Sequence, residues 1–390
     1  MPSQTTIRVC DASGNFLFET AQFLEAGSAP GLHYVLSVGN IGAMTVTLPP
    51  DYNDLLPKDG RIFIMRSVNG NTAIREGGSC YLIRKWEYAD DYTTITAVHA
   101  NDLMRRRFLL YDPAFSGSGT DITAMAADDA MKGVWRHNAG NTIDVGLRSF
   151  SSVTATNDHI QEDWSASISV QANATLGAVI TINKLAFMNM LDVFHVLADA
   201  SYANGIWLTA EIVTPTESTL ELQTFISQRG TDRRFSTASG LIFDANRGNL
   251  ANVILTIDAI EEKTMAQSLG ASPQGARFVG TYHDSNRIYD SPFARIETIF
   301  DMNDAPNDSG LTHGAKSAVQ AGWPRVYTSA ELTETDQCIR GVHFDLGDYV
   351  TIEIRGVQYD MRLNQLDVSV TAQSEVAKVG FYQELQTVSF

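Results

Sequence analysis

The chain has 390 residues, 44% of them hydrophobic and 19% charged, which is a globular composition and too long for one ordinary core. Its 45 acidic residues outnumber 28 basic ones, for a net charge of −17, which argues against nucleic-acid binding by phosphate neutralisation. No apolar run reaches the roughly 18 residues of a membrane span, and the start MPSQTTIRV lacks a basic region followed by an apolar stretch, so neither membrane insertion nor a signal peptide is expected. Cys10, Cys80 and Cys338 lie far apart without a CxxC spacing and read as reduced, small hydrophobic residues.

Residues 1–100 read as a compact β-domain. Ile7, Val9 and then Phe16, Phe18 flank the turn-rich Asp11-Ala12-Ser13-Gly14-Asn15, which predicts a hairpin. Strands follow at 34–38, 44–48, 61–68, 81–88 and 93–98, separated by Asn40-Ile41-Gly42, Pro49-Pro50, Asn69-Gly70-Asn71 and Asp90-Asp91. Short strands at close spacing imply a sandwich or barrel. Leu103 to Phe108 has the look of a short helix, and its Arg105-Arg106-Arg107 reads as a solvated face making ion pairs. Residues 115–120 have a flexible composition, and Asp121 is a candidate N-cap for a helix over 122–138.

Polar loops with short strands are expected over 141–182. From Asn183, the residues Leu185, Met188, Leu191, Val193, Phe194 and Leu197 form a stripe at helical spacing that Asn204-Gly205 ends. Within it His195 reads as a packed or edge residue, and Met188 and Met190 as core filling. Strands are predicted at 206–213, 219–227, 240–244 and 252–259. Between them QTFISQRGTDRR, with Arg229, Arg233 and Arg234, lacks the aromatic spacing of an RNA-binding motif and reads as a salt-bridged hairpin. Residues 271–340 form a loop-rich insertion with weak helices at 294–300 and 315–321. The oxygen-rich stretch from Asp301 to Gly310 departs from calcium-loop spacing at Ala305 and reads as an ordinary loop.

The last fifth alternates with period two: Val350, Ile352 and Ile354, then Leu366, Val368 and Val370, with Arg355-Gly356 as the reversal between the runs. This is a sheet closing on a core. No catalytic constellation stands out. Gly117-Ser118-Gly119 is only similar to a nucleophile elbow, no His pair has zinc spacing, and Glu261-Glu262 is two among 45 acids. Neither catalytic, cofactor-binding nor metal residues are therefore assigned.

Several stretches, in order, resemble the baseplate-hub or tail-associated proteins of long-tailed siphophages. They are IRVCDASGNFLFE, GAMTVTLPP followed by KDGRIFIMR, HANDLMRRRFLLYD, NKLAFMNMLDVFHVLADASYANGIWLTAEIV, FISQRGTDRR, RGNLANVIL and LGDYVTIEI. The resemblance implies a mixed, β-rich α+β fold with two tail-tube-like antiparallel β-barrel or sandwich domains, at 1–100 and at 206–270 plus 341–390. An inserted α/β domain would occupy 101–205 and the loop-rich insertion 271–340.

It further implies a structural, non-enzymatic, cofactor-free virion protein, assembled in the host cytoplasm into a homotrimeric ring. Tail tube or distal tail protein, tape measure protein and tail fibre or tip proteins would be its partners, with DNA passing through an acidic lumen without specific binding. Two other function classes remain. A receptor- or carbohydrate-binding tail-tip protein would expose Trp207 or Trp323 in a glycan groove, and a cell-wall hydrolase would need essential acids or His residues.

Overall fold

The structure is a computed structural model and describes residues 3–68, 72–109, 120–139, 164, 166–185, 188–227, 229–237, 240–270, 277–301 and 308–383. The Asn69-Gly70-Asn71 turn, residues 115–119, residues 141–163 and residues 302–307 of the oxygen-rich stretch lie outside them.

The first β unit forms as its periodicity predicts. Ser3–Cys10 and Phe16–Thr20 make an antiparallel hairpin whose turn is held by the Asp11 carboxylate, which accepts from the amides of Ser13 (2.8 Å) and Asn15 (2.9 Å). Leu32–Ser37, Ala43–Leu48, Arg61–Val68, Tyr81–Tyr88 and Thr93–His99 complete it, with the short Ile74–Arg75 on the side. In Leu32–Ser37 and Thr93–His99 every second side chain is buried.

The closing unit comprises Leu250–Asp258, Arg325–Leu332, Tyr349–Ile354, Val357–Val370 and Glu375–Gln383, with the short Asp232–Arg233 and Ile242–Asp244 beside Tyr349–Ile354. Its Val350, Ile352, Leu366 and Val368 are fully buried. Arg355 (φ 52°) and Gly356 (φ 79°) both take positive φ, as the two-residue hairpin turn with matching twist demands.

The two units are one sheet. Gln365–Val370 pairs antiparallel with Leu32–Ser37 over six consecutive positions, from Gln365 opposite Ser37 to Val370 opposite Leu32. The strand order runs from Leu250–Asp258 through Arg325–Leu332, Glu375–Gln383, Val357–Val370, Leu32–Ser37, Ala43–Leu48, Thr93–His99, Tyr81–Tyr88, Arg61–Val68 and Ser3–Cys10 to Phe16–Thr20. That path does not return on itself, so among the described residues there is no closed barrel. The fold is β-rich α+β with mostly antiparallel pairing. One apolar core spans both units, from Ile7, Tyr34 and Ile95 to Phe243, Leu366 and Phe381.

A second core is helical. Ala127–Ala139 and Met190–Ala203 pack together around Trp135, Phe194 and Leu197, and a three-stranded sheet of Ile168–Val170, Leu220–Ile226 and Leu208–Val213 lies beside them. All six residues of Leu208–Val213 are buried, because one face meets the helices and the other meets the large sheet. Asn189 caps the second helix, its side chain accepting from the Asp192 amide at 3.1 Å. A third, small layer sets Asp308–Ala321 against a sheet with Met265–Leu269 between Val279–His283 and Glu297–Asp301. Among the described residues no helix is long and apolar enough to cross a membrane.

Four local expectations are corrected. Residues 120–126 are a strand, paired with Val179–Leu185, and the helix begins at Ala127 rather than after Asp121. Leu185 lies in that partner strand and Met188 in the two-residue strand Met188–Asn189, ahead of the 190–203 helix. Glu297–Asp301 is a parallel edge strand, not a helix. Residues 223–234 are no hairpin: Leu220–Ile226 pairs with Leu208–Val213, while Asp232–Arg233 pairs parallel with Tyr349–Val350. In each case a cross-strand partner overrode the local signal, most of them distant in sequence.

Candidate assembly surface

The features that bear on function are the seam between the β units, the charges that lock it, and the strands that, among the described residues, end the main path of the sheet. Arg340, 1% exposed, places its guanidinium between Glu76 (2.5 Å) of the first unit and Glu375 of the closing strand. Arg66, likewise buried, pairs with Glu334 (2.5 Å) and Glu375 (3.3 Å) and donates to the Arg340 carbonyl at 3.1 Å. The Tyr34 hydroxyl donates to Glu76 at 2.5 Å.

Burial pushes the Glu76 carboxyl upward even with Arg340 and the Tyr34 hydrogen bond pulling down. Burial acts the same way on Glu375, but Arg340 and Arg66 together outweigh it and hold this carboxyl below its ordinary value. Tyr34, Arg66 and Glu76 belong to the first unit and Glu334, Arg340 and Glu375 to the closing one, so the network exists only when both units are docked.

A second lock joins the helical layer to the seam. Glu211, on the doubly buried strand, accepts from the Gly39 amide (2.8 Å) and pairs with Arg229 (2.6 Å), which also donates to the carbonyls of Leu346 (2.8 Å) and Gly77 (2.9 Å). Arg233 pairs with Asp348 at 2.8 Å. The fully buried Asn101 donates to the Asn40 carbonyl and accepts from the Ile212 amide. Sequence reading missed these bonds, since Arg229 stands 18 residues from Glu211 and 117 from Leu346.

The other residues singled out by sequence are structural. Arg105 and Arg106 both pair with Asp102, at 2.5 and 2.8 Å, and Arg106 also reaches Asp59 at 2.9 Å. Arg107 donates to the Asn138 carbonyl and lies 4.7 Å from the Trp164 ring centre. His195 is exposed, its Nε2 3.2 Å from the Gly39 carbonyl oxygen, and Met190 is buried in the helical core. Trp207 and Trp323 are half-buried, with Arg362 over the first ring (4.6 Å) and Arg287 over the second (5.5 Å), so neither offers an open glycan platform. Glu262 faces Arg287 at 3.7 Å while Glu261 is exposed, so the acid pair is divided. The three cysteines are buried and free.

Among the described residues no cluster of His, Cys, Asp and Glu could hold a metal. An open recess is lined by Gly14, Met65, Arg75, Pro215, Thr216, Glu217 and Ser218, and there the Glu217 carboxylate is paired with Arg8 at 2.5 Å while the Thr216 and Ser218 hydroxyls lie 3.2 Å from each other. What the molecule offers is surface, most of all the two ends of its sheet.

No protein-family model matches the sequence, and no curated protein matches it either. Its fold, however, is similar over nearly the whole chain to that of two prophage tail proteins and a further bacterial tail protein. One is the 43 kDa tail protein of prophage MuSo2 from Shewanella oneidensis, at 10% identity over 96% of this chain and 98% of that one, with a TM-score of 0.54. A tail protein from Neisseria meningitidis matches at 11% identity over 98% and 97%, with a TM-score of 0.53. The prophage tail protein gp18 from Listeria monocytogenes matches at 11% identity over 98% and 95%, with a TM-score of 0.50. At such identities the likeness is one of fold.

Proposed function

We propose that this chain is a structural component of a phage tail, a baseplate hub that joins the tail tube to the tail tip. The observation that carries the reading is the likeness of fold to tail proteins along the entire chain, rather than over one module. The seam supports it: two β units joined strand to strand and locked by buried charge make a stiff bracket, which suits a part whose work is positioning. In this reading 1–100 and the closing strands of 250–258, 325–332 and 349–383 are the tube-like units, while 101–226 with its helical layer and the small layer around 265–321 are outward insertions.

Three copies forming a closed ring would present six such units to a sixfold tube. The net charge of −17 then has a use, because a lumen of like sign repels the duplex and lets DNA pass without sticking. Partners are tube or distal tail protein, tape measure protein and fibre or tip proteins, and the location is the virion tail tip. The half-buried state of Trp207 and Trp323 removes the feature that would have favoured a carbohydrate-binding protein.

Electron microscopy of the particle, with antibody-gold labelling of this chain and symmetry classification of the purified protein, tests the proposal. Label at the tube-tip junction and a threefold ring with a central hole are expected. Label on fibre tips, or absence from the particle, would reject it.

A further inference from the structure

The strand Leu250–Asp258 ends the large sheet and, among the described residues, pairs on one side only, with Arg325–Leu332. Its sequence, LANVILTID, holds no Lys, Arg or Pro and no charge before Asp258. Edge strands that stay solvent-exposed are ordinarily blunted by such residues. The strand has a bulge between Ala251 and Ile254, but beyond it Ile254 is 62% exposed on the face it shares with Tyr327 (42%), and Ile257, opposite the buried Val326, is 47% exposed at the margin of the core face. Val253 and Leu255 pack only partly on the core that spans both β units. The sheet therefore stops with its apolar layer uncovered, and an unpaired row of backbone donors and acceptors runs beside it.

The far end of the same sheet, Phe16–Thr20, also pairs on one side only among the described residues, with Ser3–Cys10. Leu17 and Phe18 pack on the same core there, and Phe16 is 57% exposed. Two different free edges of one curved sheet are what a head-to-tail contact between identical chains requires. The molecule already contains one such union, the pairing of Leu32–Ser37 with Gln365–Val370 that joins its two β units edge to edge.

We infer that Leu250–Asp258 is the strand through which one copy of this chain pairs with the next, its occupant being the Phe16–Thr20 edge of a second copy. The inference deepens the ring reading by naming the contact, but it rests on the sheet edges and not on the location of the chain in a particle. Val253, Leu255 and Ile257 would then be covered by Leu17 and Phe18 of the neighbour, closing the apolar layer between copies.

Sedimentation velocity of the full chain across a wide concentration range, on wild type and on the double variant Ile254→Lys with Ile257→Lys, is the test. Wild type is expected to self-associate, and the double variant to do so at least about 100-fold more weakly, the scale set by replacing two apolar side chains with charges at the centre of an interface. Ile299→Lys, on the edge strand of the small sheet, is expected to associate as wild type does. Should the double variant fail to fold, hydrogen exchange on wild type replaces it: the amides of residues 253–258 that point away from Arg325–Leu332 are expected to be protected at high concentration and exposed on dilution. A monomeric wild type, an oligomer indifferent to both lysines, or amides whose exchange ignores concentration would overturn the inference. If an indifferent oligomer were found together with label at the tube-tip junction, the tail reading would stand and the edge assignment alone would fall.

Discussion

Replacing Arg340 with Met keeps a side chain of similar reach and removes the cation that bridges Glu76 and Glu375. Two carboxylates, on Glu76 and Glu375, are then left facing each other, with Arg66 as the remaining cation of the group. Breaking a buried pair by deleting one partner costs about 3–5 kcal/mol, because the abandoned charge stays desolvated. With an unfolding entropy of about 2.1 cal/mol/K per residue, unfolding of all 390 residues together converts that into a fall in Tm of about 5 °C.

Urea titration followed by tryptophan fluorescence, with m held constant between variants, measures the same loss at room temperature. Glu76→Gln provides the internal comparison. The group holds three carboxylates, on Glu76, Glu334 and Glu375, against two guanidinium groups, so a neutral amide at 76 relieves an excess of negative charge and still accepts from Tyr34. Its expected cost is about 1–2 kcal/mol. If Arg340→Met cost under about 1 kcal/mol, or Glu76→Gln cost more than Arg340→Met, buried charge pairing would not be what holds the seam.

His99 is buried, accepts from the Asn101 amide through Nδ1 at 3.3 Å, and has its pKa pushed down by burial to about 4 from 6.5. A lowered folded pKa means that the unfolded chain binds the proton more tightly. The His99 contribution is thus complete above pH 6.5 and is lost as pH falls toward 4, by about 3 kcal/mol in all. His99→Gln should flatten stability across that window, and an unchanged slope in urea midpoints would count against it. The cysteine thiols, raised by burial to about 11 for Cys10 and about 12 for Cys80 and Cys338, should ignore a thiol reagent at mildly alkaline pH in the native protein. All three should react in denaturant, and rapid native labelling would show that the cores open. Gly42→Ala would set a Cβ 1.9 Å from the Val35 carbonyl oxygen, between two strands of the first unit. A loss of about 1–3 kcal/mol or more is expected in thermal unfolding, and wild-type stability would contradict the packing.

Much of the β framework was legible along the chain, because strand and turn signals are local. Alternation of Val350, Ile352 and then Leu366, Val368 placed the closing strands, and Asp11 to Asn15 placed the first hairpin turn. The helix of residues 190–203 and its end at Asn204-Gly205 were equally local. The strand at 120–126 was misread because its pairing with residues 179–185 lies more than 50 positions away, and Ile122 with Ala126 fits helical spacing as well as alternation.

Composition, alternation and turn chemistry belong to the chain before it folds, and they suffice for a β-rich α+β protein without a legible catalytic motif. Folding was needed to show that the first and last β units share one sheet, since Leu366 finds Leu36 across 330 residues of chain. It was needed too for telling surface ion pairs, such as that of Arg105, from buried locks, such as those of Arg229 and Arg340. A guanidinium is the same group at every arginine; its worth depends on the dielectric around it and the carboxylates brought near, and folding sets both.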